Sequence, residues 1–293
     1  MRSRARRRPR LLRRLLIAAA LLVGLFVAGV GLLWLTSPSV GWLQTKNPES
    51  TAFIDLRRRE AEAAGKPFRL RWSWRPLRQI SPLLSTAVIH AEDAHFFQHS
   101  GVDWEAVKET AERNWREGSL SRGGSTITQQ VAKNLFLSPS RNPIRKLREL
   151  FIAWALEDKL DKERILEIYL NIAEWGPGVF GAEAAAERWY GRSASALTAD
   201  QAARLAVALP NPRERSPRVK SRVLDRKAAR IVRALHRGGL IGREELIAAL
   251  TRLGQPTTDL AAPPTVEETQ EPPAAAPEDG NEPQTPEEPD ASD

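Results

Sequence analysis

The 293-residue chain carries 44 Lys and Arg, 36 Asp and Glu, four His and no Cys, for a formal net charge of +8. The missing Cys excludes disulfides and thiolate chemistry, and the length allows one large domain or two small ones. Charge is unevenly spread: 11 of the acids and no Lys or Arg lie in residues 259–293, so everything before them is strongly basic and suited to anionic partners.

In chain order, eight Arg precede residue 15, and residues 15–35, LLIAAALLVGLFVAGVGLLWL, are uncharged. At about 1.5 Å per helical residue the run spans roughly 31 Å, the thickness of a bilayer core. A cleaved signal peptide would have a shorter apolar region ending at a small-x-small site, whereas this run ends in Trp34-Leu35-Thr36-Ser37-Pro38. Residues 1–14 are therefore expected in the cytoplasm, 15–35 as a retained transmembrane helix, and the remainder outside, away from nucleic acid. Residues 36–80 read as a membrane-proximal connection with a short helix over 53–64. Within it, RLRWSWRPLRQI either rests its Trp and Arg at the headgroups or packs on the domain as a basic loop.

Residues 81–255 predict a mainly α domain, because long apolar-periodic segments are punctuated by Gly, Pro and capping residues. Asp161 fits an N-cap, and Thr198 with Gln201 fits a capping box on a helix that stops before Pro210. Residues 256–293, rich in Pro and acids, bury too little apolar surface to offset ordering and predict a disordered spacer.

Candidate chemistry falls in three places. Glu92-Asp93 precedes Phe96-Phe97, and a carboxylate beside apolar rings is a candidate for a raised pKa, although most such pairs are solvated helix surface. His95 and His99 stand one helical turn apart, a metal-ligand spacing, but no HExxH motif or Cys completes a site, so packing or hydrogen bonding fits His99 better. In GGSTITQQVAKN, residues 123–134, a helix starting near Thr126 would turn Ile127, Val131 and Leu135 inward. Thr126, Gln129, Gln130 and Lys133 would share another face, and the free N–H groups at its start would offer an anion site. A glycine turn before an ordinary capped helix is the plainer reading. Further on, Ile144, Leu147, Phe151 and Trp154 form an apolar face, and Arg145 and Glu149 stand four apart, as in a surface ion pair.

Four segments appear in order: Glu92-Asp93-x-x-Phe96-x-x-His99-x-Gly101; Gly123-Gly124-Ser125-Thr126-Ile127-Thr128-Gln129-Gln130-x-x-Lys133-Asn134; Arg145-Lys146-x-x-Glu149; and Arg164-Ile165-Leu166-Glu167-x-Tyr169-Leu170-Asn171. Together they resemble the family 51 peptidoglycan glycosyltransferases over about residues 40–235. NIAEWGPGVFGAEAAAERWYG and ALPNPRERSP are similar to the monofunctional biosynthetic form, and neither Ser-x-x-Lys nor Lys-Thr-Gly of penicillin-reactive domains occurs in the sequence.

The resemblance implies a lysozyme-like α-helical domain with a small membrane-facing lobe, in the bacterial inner membrane with its catalytic domain in the periplasm. Its reaction would transfer the growing lipid-linked glycan to the 4-hydroxyl of lipid II, with inversion, releasing undecaprenyl pyrophosphate. By the same resemblance Glu92 is the general base, and Lys133, Arg145 and Lys146 stabilise the pyrophosphate. Glu149 orients those cations or assists at the leaving group. Ser125, Thr126, Gln129, Gln130 and Asn134 hold sugar and phosphate groups, Asp93 and Phe97 join the substrate site, and His99 is structural support. No metal ligand is assigned, and a divalent cation (Mg or Mn) on the pyrophosphate stays open. A lytic enzyme of related fold, or an anchored scaffold for division or elongation proteins, are the competing functions.

Overall fold

The computed structural model describes residues 7–118, 124–140 and 142–257, which form eleven α-helices and one small sheet. Gly123, the first six residues and the expected spacer beyond residue 257 lie outside the described residues. Helix α1 (Arg7–Leu35) holds the apolar run, and its Leu12–Leu35 portion is long and apolar enough to cross a membrane. It begins within the arginine cluster because Arg and Leu are both good helix formers. It stops where the Thr36 and Ser37 hydroxyls donate back to the carbonyls of Leu32 and Leu33, with Pro38 next.

α2 (Ala52–Ala63) starts on Thr51, whose hydroxyl accepts from the Ile54 N–H at 3.0 Å, within a residue of the expected start. The basic segment after it is packed on the domain: Arg71–Trp72 is strand β1. Trp72 donates its indole N–H to the Asn171 carbonyl at 2.7 Å, and Arg75 pairs with the buried Glu183 at 3.1 Å.

The helices pack in two groups. α3 (Pro82–Glu92), capped by Ser81, packs on α9 (Ala199–Ala208) and α10 (Arg222–Arg237), with α11 (Arg243–Arg252) against the latter two. α5 (Ile127–Phe136) packs on α6 (Pro143–Lys159) and α7 (Lys162–Ile172). α4 (Trp104–Glu117) leads from α3 towards α5, and α8 (Ala182–Tyr190) follows the sheet. Caps expected at Asp161, Thr198 and Gln201 are present, and Ile127, Val131 and Leu135 are buried as expected.

β2 (Glu174–Gly176) and β3 (Val179–Phe180) complete a sheet of order β1-β3-β2. β1 runs parallel to β3, with Arg71 opposite Val179, and β2 runs antiparallel with an irregularity between Glu174 and Gly176. Strands of two or three residues are too short to show an alternating pattern. At the turn into α8, Gly181 has φ +82°, and a Cβ there would stand 2.8 Å from the Asn171 carbonyl oxygen, so only glycine fits.

The fourth of the ordered segments, residues 164–171, is the staple that holds this region. Asn171 donates to the carbonyls of Arg75 and Glu167, both at 2.8 Å, and accepts from the Arg75 N–H at 2.8 Å. Glu167 accepts from the Leu77 N–H at 2.8 Å and pairs with Arg164, which donates to the carbonyls of Leu43 and Lys46. α6 meets the end of α1: Phe151 packs edge-on against Trp34 at 5.4 Å, and Arg148 donates to the Thr36 carbonyl at 3.3 Å. Of the apolar face expected on α6, Phe151 is buried, whereas Ile144 in the first turn is exposed.

Candidate active site

The two helical groups meet where α3 ends against α5. Glu92, the last residue of α3, accepts from the Gln130 side-chain amide at 2.8 Å through Oε2, and its Oε1 is enclosed with no hydrogen-bond partner. Tyr169 of α7 donates its hydroxyl to Gln130 Oε1 at 3.2 Å, which turns the amide N–H towards Glu92. Burial pushes the Glu92 carboxyl above its ordinary range. Gln130, Lys133 and Arg215 pull it down, and Asp93 adds to the rise. α5 and α7 contribute to this enclosure through Gln130 and Tyr169. The buried Phe96 packs on Phe97 at 5.0 Å and on His99, with Lys162 over its ring at 4.5 Å, while Phe97 is 56% exposed.

The start of α5 follows the plainer reading, a capped helix, and its N–H groups are taken up by the protein itself and not left open as an anion site. Asp93 is buried; its Oδ2 accepts from the Ile127 N–H at 2.8 Å, and its Oδ1 is 2.9 Å from His99 Nε2. Thr126 and Gln129 form a capping box, each accepting from the other's N–H at 3.2 Å, and the Thr126 hydroxyl donates to the Gly101 carbonyl at 2.6 Å. The physical reason is depth: N–H groups of a buried helix start need partners inside the fold. Thr128 is likewise turned inward, donating to Glu157. Asn134 is buried; Gln130 faces Glu92, and Ser125 is exposed beside Lys146 Nζ at 3.2 Å.

Beyond Gln130 stand the cations. Lys133 is half-buried, and burial pulls its ammonium below the usual lysine range. Glu149 and Glu92 oppose that shift, and Arg145 and Lys146 reinforce it. The pair expected on the surface of α6 is instead centred on a carboxylate only 3% exposed: Glu149 takes Arg145 Nη1 on Oε2 and Lys146 Nζ on Oε1, both at 2.5 Å. Charge-assisted bonds of this kind hold two cations in place while leaving net positive charge.

Sequence reading missed Tyr169 as the partner that sets Gln130, and missed a groove beside Glu92. This groove, of about 430 Å³, is lined by His90 and Ala91 of α3, by Arg215, and by Lys227, Arg230 and Arg237 of α10. The signal present was the run of basic residues at three- and four-residue spacing along α10. A smaller cleft of about 280 Å³ shares His90 and Ala91 and passes Glu92 to Ser125.

The two histidines at metal-ligand spacing diverge, His95 to Asp103 at 2.9 Å and His99 to Asp93. Among the described residues no cluster of three or more His, Asp or Glu could hold an ion. Both oxygens of Glu149 already face cations, so these residues do not fit a protein-held divalent ion and no step is derived through one.

A helical domain that sets one enclosed carboxylate within electrostatic reach of an ammonium, Lys133, and of Arg215 at a basic groove can take up a proton beside an anionic group. Fold and site define a lysozyme-like glycosyltransferase domain, mainly α. A family profile described as Transglycosylase matches residues 62–236. A biosynthetic peptidoglycan transglycosylase of Herminiimonas arsenicoxydans is 52% identical over 174 residues, covering 59% of this chain and 75% of that protein. One of Methylobacillus flagellatus is 46% identical over 214 residues, covering 73% and 93%. The chain belongs to the transglycosylase family and is a peptidoglycan glycosyltransferase.

Proposed function

We propose that the protein is a membrane-anchored polymerase of glycan strands, with the growing strand on its lipid pyrophosphate as donor and lipid II as acceptor. Glu92 takes the proton of the acceptor 4-hydroxyl as that oxygen bonds to the donor's anomeric carbon. The bond from that carbon to the pyrophosphate breaks, and its electron pair leaves with undecaprenyl pyrophosphate. One displacement inverts an α-linkage to a β-1,4 bond. A single carboxylate suffices, because pyrophosphate is a weak base and leaves without protonation by a second acid.

Charge that builds on the leaving group is met by Lys133, Arg145 and Lys146, with Glu149 holding the last two. Ser125 and Gln130 line the donor side. Asp93, Thr126 and Gln129 act one step back, by fixing the start of α5 that carries Gln130 and Lys133. The groove at Arg215, Lys227, Arg230 and Arg237 supplies the second anion seat that a reaction between two lipid pyrophosphates requires. α1 spans the inner membrane with its Arg-rich end in the cytoplasm, and the catalytic domain lies in the periplasm.

The observation that carries this reading is one raised-pKa carboxylate close enough to Lys133 and Arg215 for both to pull it down, with Arg145 and Lys146 held on the neighbouring Glu149. A lytic enzyme, whose leaving group is a sugar, has no use for the cations. Purified full-length protein in detergent, given labelled lipid II, should yield muramidase-sensitive polymer that moenomycin abolishes. Well-folded protein that makes no polymer across several detergents and divalent ions, or that degrades lipid-free strands, would refute it.

A further inference from the structure

Lys133 stands near two carboxylates, yet it makes a salt bridge with neither Glu92 nor Glu149 among the described residues, and a lysine stem has four rotatable bonds. What it does meet is an aromatic ring: its Nζ lies 5.7 Å from the centre of Phe53. A cation within about 6 Å of a ring centre is held by the ring's negative face, more strongly where water is excluded.

Phe53 is itself fixed. It sits in the first turn of α2, between the capping Thr51 and the fully buried Ile54, and α2 packs on α5. One turn on, Arg57 stacks on the same ring at 5.8 Å and is anchored by the buried Glu174 at 2.9 Å and by Glu60. A line of contacts thus runs from strand β2 through Arg57 and Phe53 to Lys133. Phe53 lies before residue 62, where the family match begins.

We propose that Phe53 is a positioning residue for Lys133, its ring fixing the ammonium beside Glu92 and Glu149, so that the membrane-proximal segment completes the donor site. This rests on the reading that Lys133 meets the lipid-linked pyrophosphate. An aliphatic side chain of similar size would keep the packing and lose the attraction, whereas a larger ring would keep it.

The test uses full-length protein in detergent and direct titration with fluorescent lipid II, so that inactive variants remain measurable. Phe53→Leu should weaken affinity by about 3- to 30-fold, the range expected of a cation held on a ring, with its melting temperature kept. Phe53→Trp should recover most of the loss. In a Lys133→Ala background, Phe53→Leu should have no further effect. A Phe53→Leu loss that persists undiminished without Lys133, a Trp variant as impaired as the Leu variant, or wild-type affinity in Phe53→Leu would overturn the role of Phe53 alone. Wild-type affinity in Lys133→Ala would instead bring down the pyrophosphate reading of Lys133.

Discussion

Glu92→Gln separates proton transfer from everything else the side chain does. The replacement is isosteric: its carbonyl can still accept from Gln130, and its amide nitrogen takes the place of the enclosed, unpartnered Oε1. Binding of lipid II should therefore survive. Loss of a general base costs about 10²- to 10⁴-fold, or roughly 3–5 kcal/mol on the barrier at about 1.4 kcal/mol per decade. Stability should move the other way. A carboxyl whose folded pKa is raised contributes fully below its ordinary pKa of 4.5 and loses that contribution as pH rises through the folded value. Above that folded value the wild type carries a charge that burial disfavours, so there the Gln variant should melt no lower than wild type. The assays are polymerisation of labelled lipid II, lipid II titration, and melting curves from pH 4 to 8. Turnover within a few-fold of wild type, or lost binding in a folded variant, would refute the assignment. In the wild type, the acid limb of the rate profile should lie above the ordinary carboxylate range.

Tyr169→Phe frees the Gln130 amide to turn its oxygen to Glu92, which should move that acid limb further up in pH; an unmoved limb would remove Tyr169 from the network. Glu149→Gln leaves Arg145 and Lys146 without their shared charge. It should cost about 1–3 kcal/mol by denaturant melting and lower kcat/KM in the polymer assay. Gly181→Ala meets both a positive φ and a carbonyl oxygen at 2.8 Å, so it should destabilise by more than about 1 kcal/mol and reduce the yield of folded protein.

Local features were legible in the sequence because they obey local rules. Thr126, Asp161 and Thr198 cap helices where their side chains and spacing said they would, and the buried stripe of α5 follows from its period. The site was legible only as a set of residue types. Helical periodicity places Thr126 and Gln129 on a polar side, but it cannot say that Asp93, 34 residues before Ile127, will fill the helix start from outside. For the same reason Arg145 and Glu149 read as a surface pair, since their spacing carries no record of the depth at which α6 sits. Strands β1 and β3, two residues each, fall below the length at which alternation has meaning.

α6 touches two environments within a short length. Arg148 bonds to the chain just past α1, while Arg145 and Lys146 lie two or three residues earlier, about 4.5 Å along the axis at most. With α1 in the bilayer as proposed, these cations stand at the depth where a lipid pyrophosphate already rests. On the proposed function the prenyl tail would stay dissolved throughout, and the search for the next substrate would become diffusion in two dimensions, governed by lateral density in the leaflet and insensitive to bulk volume.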